Sequence, residues 1–176
     1  PRVEGVGAVR SVWAAGPKAE TAVEIGTGAG VSGVCIRRGL GPQAVLTTID
    51  VDVEHLKAAR EACAEAGSPA NRTRTISGRA GDVLPRLTDS AYDLVFVDAD
   101  KPGLPGYVEQ AVRLLKAAGL LLIHYALAND RVANPAVRAS NTVVLRQVAT
   151  AIRDDARRAS ALLPPAPRPP APATPA

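Results

Sequence analysis

Three charged residues stand together at Asp98-Ala99-Asp100-Lys101, directly after the apolar run Tyr92-Asp93-Leu94-Val95-Phe96-Val97. Carboxylates this close repel one another unless a cation or the lysine compensates, so the cluster costs energy and marks a site. An ordinary solvated turn before Pro102-Gly103 explains one acid better than two. A second stretch, Ala22-Val23-Glu24-Ile25-Gly26-Thr27-Gly28-Ala29-Gly30-Val31-Ser32-Gly33, places an acid two residues before three alternating glycines. Glycines let a backbone turn sharply and approach a ligand closely, and a helix starting near Ser32 aims amide N–H groups and a positive end at it. Asp50 and His124 each close a further apolar run. A carboxylate there suits hydroxyl recognition, and an imidazole has the intrinsic pKa for moving protons.

Strands and helices must alternate for these groups to meet. Apolar runs predict strands over 22–25, 44–49, 72–77, 92–97 and 120–125. Helical patterns cover 32–38, 53–66, 83–87, 106–116 and 142–158, with Asp52 and Asn141 as N-caps and Gly67 as a C-terminal stop. Asp82 fits either a cap of the short third helix or a ligand contact. An apolar stripe at Val3, Val6, Val9, Val12 and Trp13 predicts a helix over 1–15, entered almost in mid-element. The expected fold is α/β, a Rossmann-like doubly wound, mostly parallel sheet with helices on both faces. In such a sheet ligands bind beyond the carboxyl ends of the strands, where Glu24, Asp50, Asp98 and His124 all fall.

Two nucleotide-like ligand classes compete for the loop. Gly28, Gly30 and Gly33 satisfy the G-x-G-x-x-G dinucleotide fingerprint, which would make the protein an NAD-dependent oxidoreductase. In that fingerprint the first glycine closes the strand, whereas here the strand ends at Gly26. E-x-G-x-G-x-G is instead the pattern of S-adenosylmethionine (SAM) sites, where the acid can accept hydrogen bonds from the ligand's ammonium group. On this reading Glu24, Gly26, Gly28, Gly30 and Ser32 hold the cofactor, and Asp50 holds its ribose. A tight strand-to-helix turn without a ligand is the plainer alternative.

Composition narrows the setting. The chain has 176 residues, 47% hydrophobic and 22% charged, which suits one globular domain, expected over 1–163. Apolar runs are too short to span a membrane, and no signal peptide is visible. Cys35 and Cys63 lack metal-ligand spacing and read as small buried hydrophobes in a reducing cytoplasm. His55 reads as a solvated residue of its helix. The net charge of +4 comes from scattered arginines, and five aromatic residues offer little to stack on bases, so nucleic acid is not an expected partner. Seven of the fifteen prolines fall in residues 164–176, a tail expected to be disordered or polyproline II.

Taken together, V-E-I-G-T-G-A-G-V-S-G, L-T-T-I-D, G-R-A-G-D-V-L-P-R-L, Y-D-L-V-F-V-D-A-D-K and R-L-L-K-A-A-G resemble the SAM-dependent O-methyltransferases of the catechol and caffeoyl-CoA type. The resemblance runs from about Val3 to Asp155. It implies that Glu24 holds the methionine part of SAM and Asp50 the ribose, that Ala80 contacts adenine, and that Asp100 also contacts the cofactor. It further implies Asp98 as a ligand of a divalent cation, Lys101 as base on the acceptor hydroxyl of a small, phenolic or catechol-like molecule, and Asn129 as a substrate contact.

The chain departs from that pattern at the end of the fifth strand. Where the family has Asp-Asn, two further metal ligands, this sequence has His124-Tyr125. Magnesium prefers octahedral oxygen coordination, so weak or absent magnesium binding is expected, and zinc, manganese or iron suit Asp98 with His124 better. Without a cation, Lys101 or His124 must deprotonate the acceptor. A catalytically impaired SAM-binding protein is the alternative. The family sheet also closes with a C-terminal hairpin, which the proline tail leaves incomplete here; an exposed fifth strand would then favour a homodimer.

Overall fold

The computed structural model describes residues 19–128, 131–155 and 159–161. The expected helix over 1–15, Asn129 and the tail 164–176 lie outside them. Five strands form one sheet: β1 (Thr21–Ile25), β2 (Val45–Asp50), β3 (Thr73–Ser77), β4 (Tyr92–Val97) and β5 (Leu115–Ile123). Their spatial order is β3-β2-β1-β4-β5, and every neighbouring pair is parallel. Between them run α1 (Val31–Gly39), α2 (Val53–Glu65), the short α3 (Ala80–Val83) and α4 (Leu104–Leu114), with α5 (Ser140–Asp154) after β5. The expected doubly wound α/β architecture is the one observed.

Alternation along the strands sorts the core into two layers. Val23, Ile25, Ile49, Val95 and Val97 face α3, α4 and α5, where Val83, Leu84, Leu104, Ala111, Leu145 and Val148 complete a buried cluster. Ala22, Leu46, Leu94 and Phe96 face the other way and meet Ile36 of α1 and Leu40. Burial on both faces is what a central parallel strand requires, and it is why β1 and β4 are almost uninterruptedly apolar. Glu24 is the exception and lies on the α1 face with 0% exposure.

Several boundaries differ from the sequence-based expectation. Asp52 caps α2 as expected, accepting from Glu54 N at 2.9 Å, and Gly67 follows with φ +80°. Asn141 does not cap α5. That helix starts two residues earlier than expected, at Ser140, with Ala139 in the cap position and no side-chain cap. Asp82 is not a cap either, since it lies inside the first turn of α3 behind Arg79. Helix α4 ends at Leu114 rather than 116, and β5 begins at once at Leu115 instead of 120. Leu115 pairs with Tyr92, the ladder breaks at residues 116–119, where Ala118 has φ +64°, and pairing resumes at Leu120 with Leu94. The strand stops at Ile123, so His124 and Tyr125 lie just beyond it.

Candidate cofactor and acceptor site

The order of strands reverses between β1 and β4, which opens a crevice at their carboxyl ends. The glycine loop leaves β1 there and Asp98 leaves β4. The two segments touch so closely that a Cβ on Gly26 would sit 2.1 Å from the Asp98 carbonyl oxygen, and Gly26 has φ +92°. No other residue fits. Gly30, φ +81°, is fixed in the same way by the Ala59 Cα of α2, 2.6 Å from its virtual Cβ. Gly28 differs: its φ is +50°, but a Cβ there would meet nothing within 4 Å. That open space above a glycine is the cradle a ligand would fill.

Asp50 holds the loop in place. Its Oδ2 accepts from Thr27 N at 2.9 Å and Gly28 N at 3.2 Å, and its Oδ1 accepts from Asp52 N at 3.0 Å. Burial works against the charge, but these amide donors and His55 keep the carboxyl below its ordinary pKa. Oδ1 retains a lone pair for a ribose hydroxyl. His55 is half exposed, yet it is not merely solvated, because Nδ1 lies 3.4 Å from Asp50 Oδ2.

Glu24 sits beneath the loop. Thr48 Oγ1 donates to its Oε2 at 2.6 Å, and Thr48 Oγ1 is itself 2.6 Å from Thr27 Oγ1. Oε1 has no hydrogen-bond partner among the described residues. Burial pushes the Glu24 carboxyl up to about 7, with the Ser32 and Thr48 hydroxyls pulling it down and Asp98 and Asp50 adding to the rise. A fully buried carboxyl with an orphaned oxygen fits a site awaiting a cationic group.

Beyond β4, His124 Nδ1 lies 3.0 Å from Asp98 Oδ1, and His124 N donates to Val97 O at 2.9 Å, which carries the β4–β5 ladder one residue past the strand. Burial disfavours the Asp98 charge, but His124 and Lys101 hold its pKa below the ordinary value. Lys101 Nζ donates to Ala99 O at 3.2 Å. Asp100 Oδ2 accepts from Gly103 N at 2.8 Å and its Oδ1 from the Tyr107 hydroxyl at 2.6 Å, which ties it to the start of α4. Burial and this contact push the Tyr107 phenol up to about 12. Ala80 is buried in the cluster that holds Val83 and Leu84, at the first residue of α3. Ser32 lies in the first turn of α1, half-buried.

Where the resemblance implies two further oxygen ligands beside Asp98, the residues present are His124 and Tyr125. Asp98 Oδ1 faces His124 Nδ1, and Tyr125, at φ +57°, packs against the core. Among the described residues no group of three His, Cys, Asp or Glu side chains is placed to hold a metal ion. The residues that sequence reasoning missed are Thr27 and Thr48. A threonine in an otherwise apolar buried strand was the available signal, and the register that sets Thr48 opposite Glu24 was not.

Known proteins resemble this chain in sequence and fold. The sequence profile of the O-methyltransferase family matches residues 15–165. A Mycobacterium ulcerans protein whose name places it among the O-methyltransferases is 47% identical over 159 residues, covering 90% of this chain and 71% of its own. The structure of the O-methyltransferase TomG from Streptomyces achromogenes, involved in tomaymycin synthesis and in complex with SAM, superposes with a TM-score of 0.75 at 27% identity, covering 85% of this chain and 67% of TomG. A cofactor-bound protein from MTB gives 0.77 at 28% identity, covering 88% and 71%. The overlapping dinucleotide fingerprint therefore does not mark an NAD enzyme, and the chain belongs to the SAM-dependent O-methyltransferase family.

Proposed function

We propose that the chain transfers the methyl group of SAM to a hydroxyl of a small, phenolic or catechol-like acceptor, without magnesium. The observation that carries this reading is the Asp98–His124 pair at 3.0 Å, at the edge of the cofactor crevice where the resemblance calls for metal ligands. SAM supplies an electrophilic methyl carbon on a sulfonium. The protein's part is alignment and a deprotonated acceptor oxygen. Asp98 fixes the imidazole through Nδ1–H and leaves Nε2 to take the hydroxyl proton. The acceptor oxygen then forms the C–O bond as the C–S bond breaks toward sulfur, and His124 releases the proton to solvent afterwards. Lys101, beside Asp98, adds positive charge where the oxyanion develops.

Glu24, Gly26, Gly28, Gly30, Ser32 and Asp50 form the cofactor cradle on this reading, with the Ala80 backbone toward adenine and Asn129 toward the acceptor. Two unpaired cysteines suit a reducing cytoplasm, and among the described residues no helix is long and apolar enough to cross a membrane. A second copy pairing edge to edge along β5 belongs to the same reading. The test is methyl transfer to a panel of catechols and phenols. We expect turnover that EDTA leaves unchanged and that His124→Ala lowers by about 10²–10⁴-fold. Strong stimulation by magnesium would contradict it. The replacement of the family's Asp-Asn also favours a second reading, an impaired enzyme that still binds SAM; magnesium-dependent transfer gained by His124→Asp with Tyr125→Asn would identify it.

A further inference from the structure

Three carboxylates converge beneath the glycine loop, and the innermost has no cation facing it among the described residues. Glu24 comes from β1, Asp50 from the tip of β2 and Asp98 from the tip of β4. The charged groups nearby serve the outer two: His55 of α2 faces Asp50, while His124 and Lys101 face Asp98. Among the described residues Glu24 Oε2 accepts from Thr48 of β2, the Ser32 hydroxyl of α1 favours the ionised carboxyl, and the bare Cα of Gly33 lies alongside, its virtual Cβ 3.2 Å from Oε2.

Hydrogen-bond arithmetic makes this carboxyl legible to the loop. A threonine hydroxyl has one hydrogen. With Glu24 ionised, Thr48 spends that hydrogen on Oε2, so Thr27 must donate to Thr48 across their 2.6 Å contact. With Oε2 protonated the chain reverses: Glu24 donates to Thr48, Thr48 donates to Thr27, and the Thr27 hydrogen needs another acceptor. Thr27 is also the residue whose amide Asp50 grips at 2.9 Å. The protonation state of a residue under the loop is thus carried to the loop itself.

We propose that cofactor binding to this chain is proton-coupled: a ligand ammonium at the loop displaces one proton from Glu24, and Thr48 is the positioning residue that sets the pH of the exchange. This rests on the cofactor reading above. The balance is simple. Neutral Glu24 and a cationic ligand give an ionised Glu24 held beside the cation, with one proton released to solvent.

The test is calorimetric titration of the full chain with S-adenosylhomocysteine, which carries the ammonium, from pH 5.5 to 8.5. Each pH is run in two buffers of different ionisation enthalpy. Affinity should rise with pH toward a plateau above about pH 7, with a limiting slope of tenfold per unit on the acid side. Observed enthalpies should differ between buffers by the release of up to one proton, falling toward zero on the plateau. Glu24→Gln should bind more weakly, with neither pH dependence nor proton release over this range. Thr48→Val removes a donor to the ionised form, so its midpoint should move to higher pH, a shift that loss of packing alone would not produce. Binding by the unmodified chain with no buffer dependence would overturn the coupling while leaving the cofactor reading intact. No binding at any pH would overturn both.

Discussion

Glu24 illustrates how one residue can serve binding at the expense of the free fold. Burial pushes its pKa up to about 7 in the fold, against 4.5 for the free side chain. The folded state therefore holds the proton more tightly than the unfolded chain. The stabilising contribution is fully present below about pH 4.5 and is lost as pH rises through 7. A difference of about 2.5 units corresponds to on the order of 3 kcal/mol. Glu24→Gln should accordingly melt close to the parent near pH 5 and above it at pH 8, in the absence of ligand. Parallel melting-temperature profiles for the two proteins across that range would show that burial of this carboxyl costs nothing. The acid itself stands out in the sequence because a charge inside an apolar strand is rare. Its partner Thr48 does not, since only the β1–β2 register makes them neighbours.

At the scale of elements, the strand–loop–helix unit of β1 and α1 carries two glycines that sequence treats alike and structure separates. Gly26→Ala would drive a Cβ into the Asp98 carbonyl at 2.1 Å from a backbone at φ +92°, so β1 and β4 would have to part. We expect a loss on the order of 2–4 kcal/mol by denaturant unfolding. Gly28→Ala has free space and a conformation near the left-handed region. It should cost about 1 kcal/mol of stability while weakening S-adenosylhomocysteine binding, because its methyl enters the cradle. Equal effects of the two substitutions on stability would contradict the geometry. Local signals such as the Asp52 cap were legible because they depend on two or three neighbouring residues. The start of β5 was not: residues 116–119 look like a turn after a helix, and only pairing of Leu115 with Tyr92 across the sheet reveals the strand. Asn141 failed as a cap for the same reason, as α5 is placed by Leu145 and Val148 against the core rather than by its first residue.

For the molecule as a whole, chain order and strand order together decide where chemistry happens. The β3-β2-β1-β4-β5 arrangement brings the ends of β1, β2, β4 and β5 to one edge, so Glu24, Asp50, Asp98 and His124, a hundred residues apart in sequence at the extremes, meet around one crevice. Alternating apolar runs made this sheet and its ligand edge readable before any coordinates. The conjunction of Asp98 with His124 was legible from their places at the ends of two strands, but their direct 3.0 Å contact and the bonds of Asp100 to Gly103 N and the Tyr107 hydroxyl are set by side-chain geometry. The central claim is that this edge is a SAM site rather than a dinucleotide site. Calorimetric titration of the purified chain at pH 8 with S-adenosylhomocysteine, alongside NAD, tests it most directly. Saturable micromolar binding of S-adenosylhomocysteine with none of NAD is the predicted result; binding of NAD, or of neither, would contradict it.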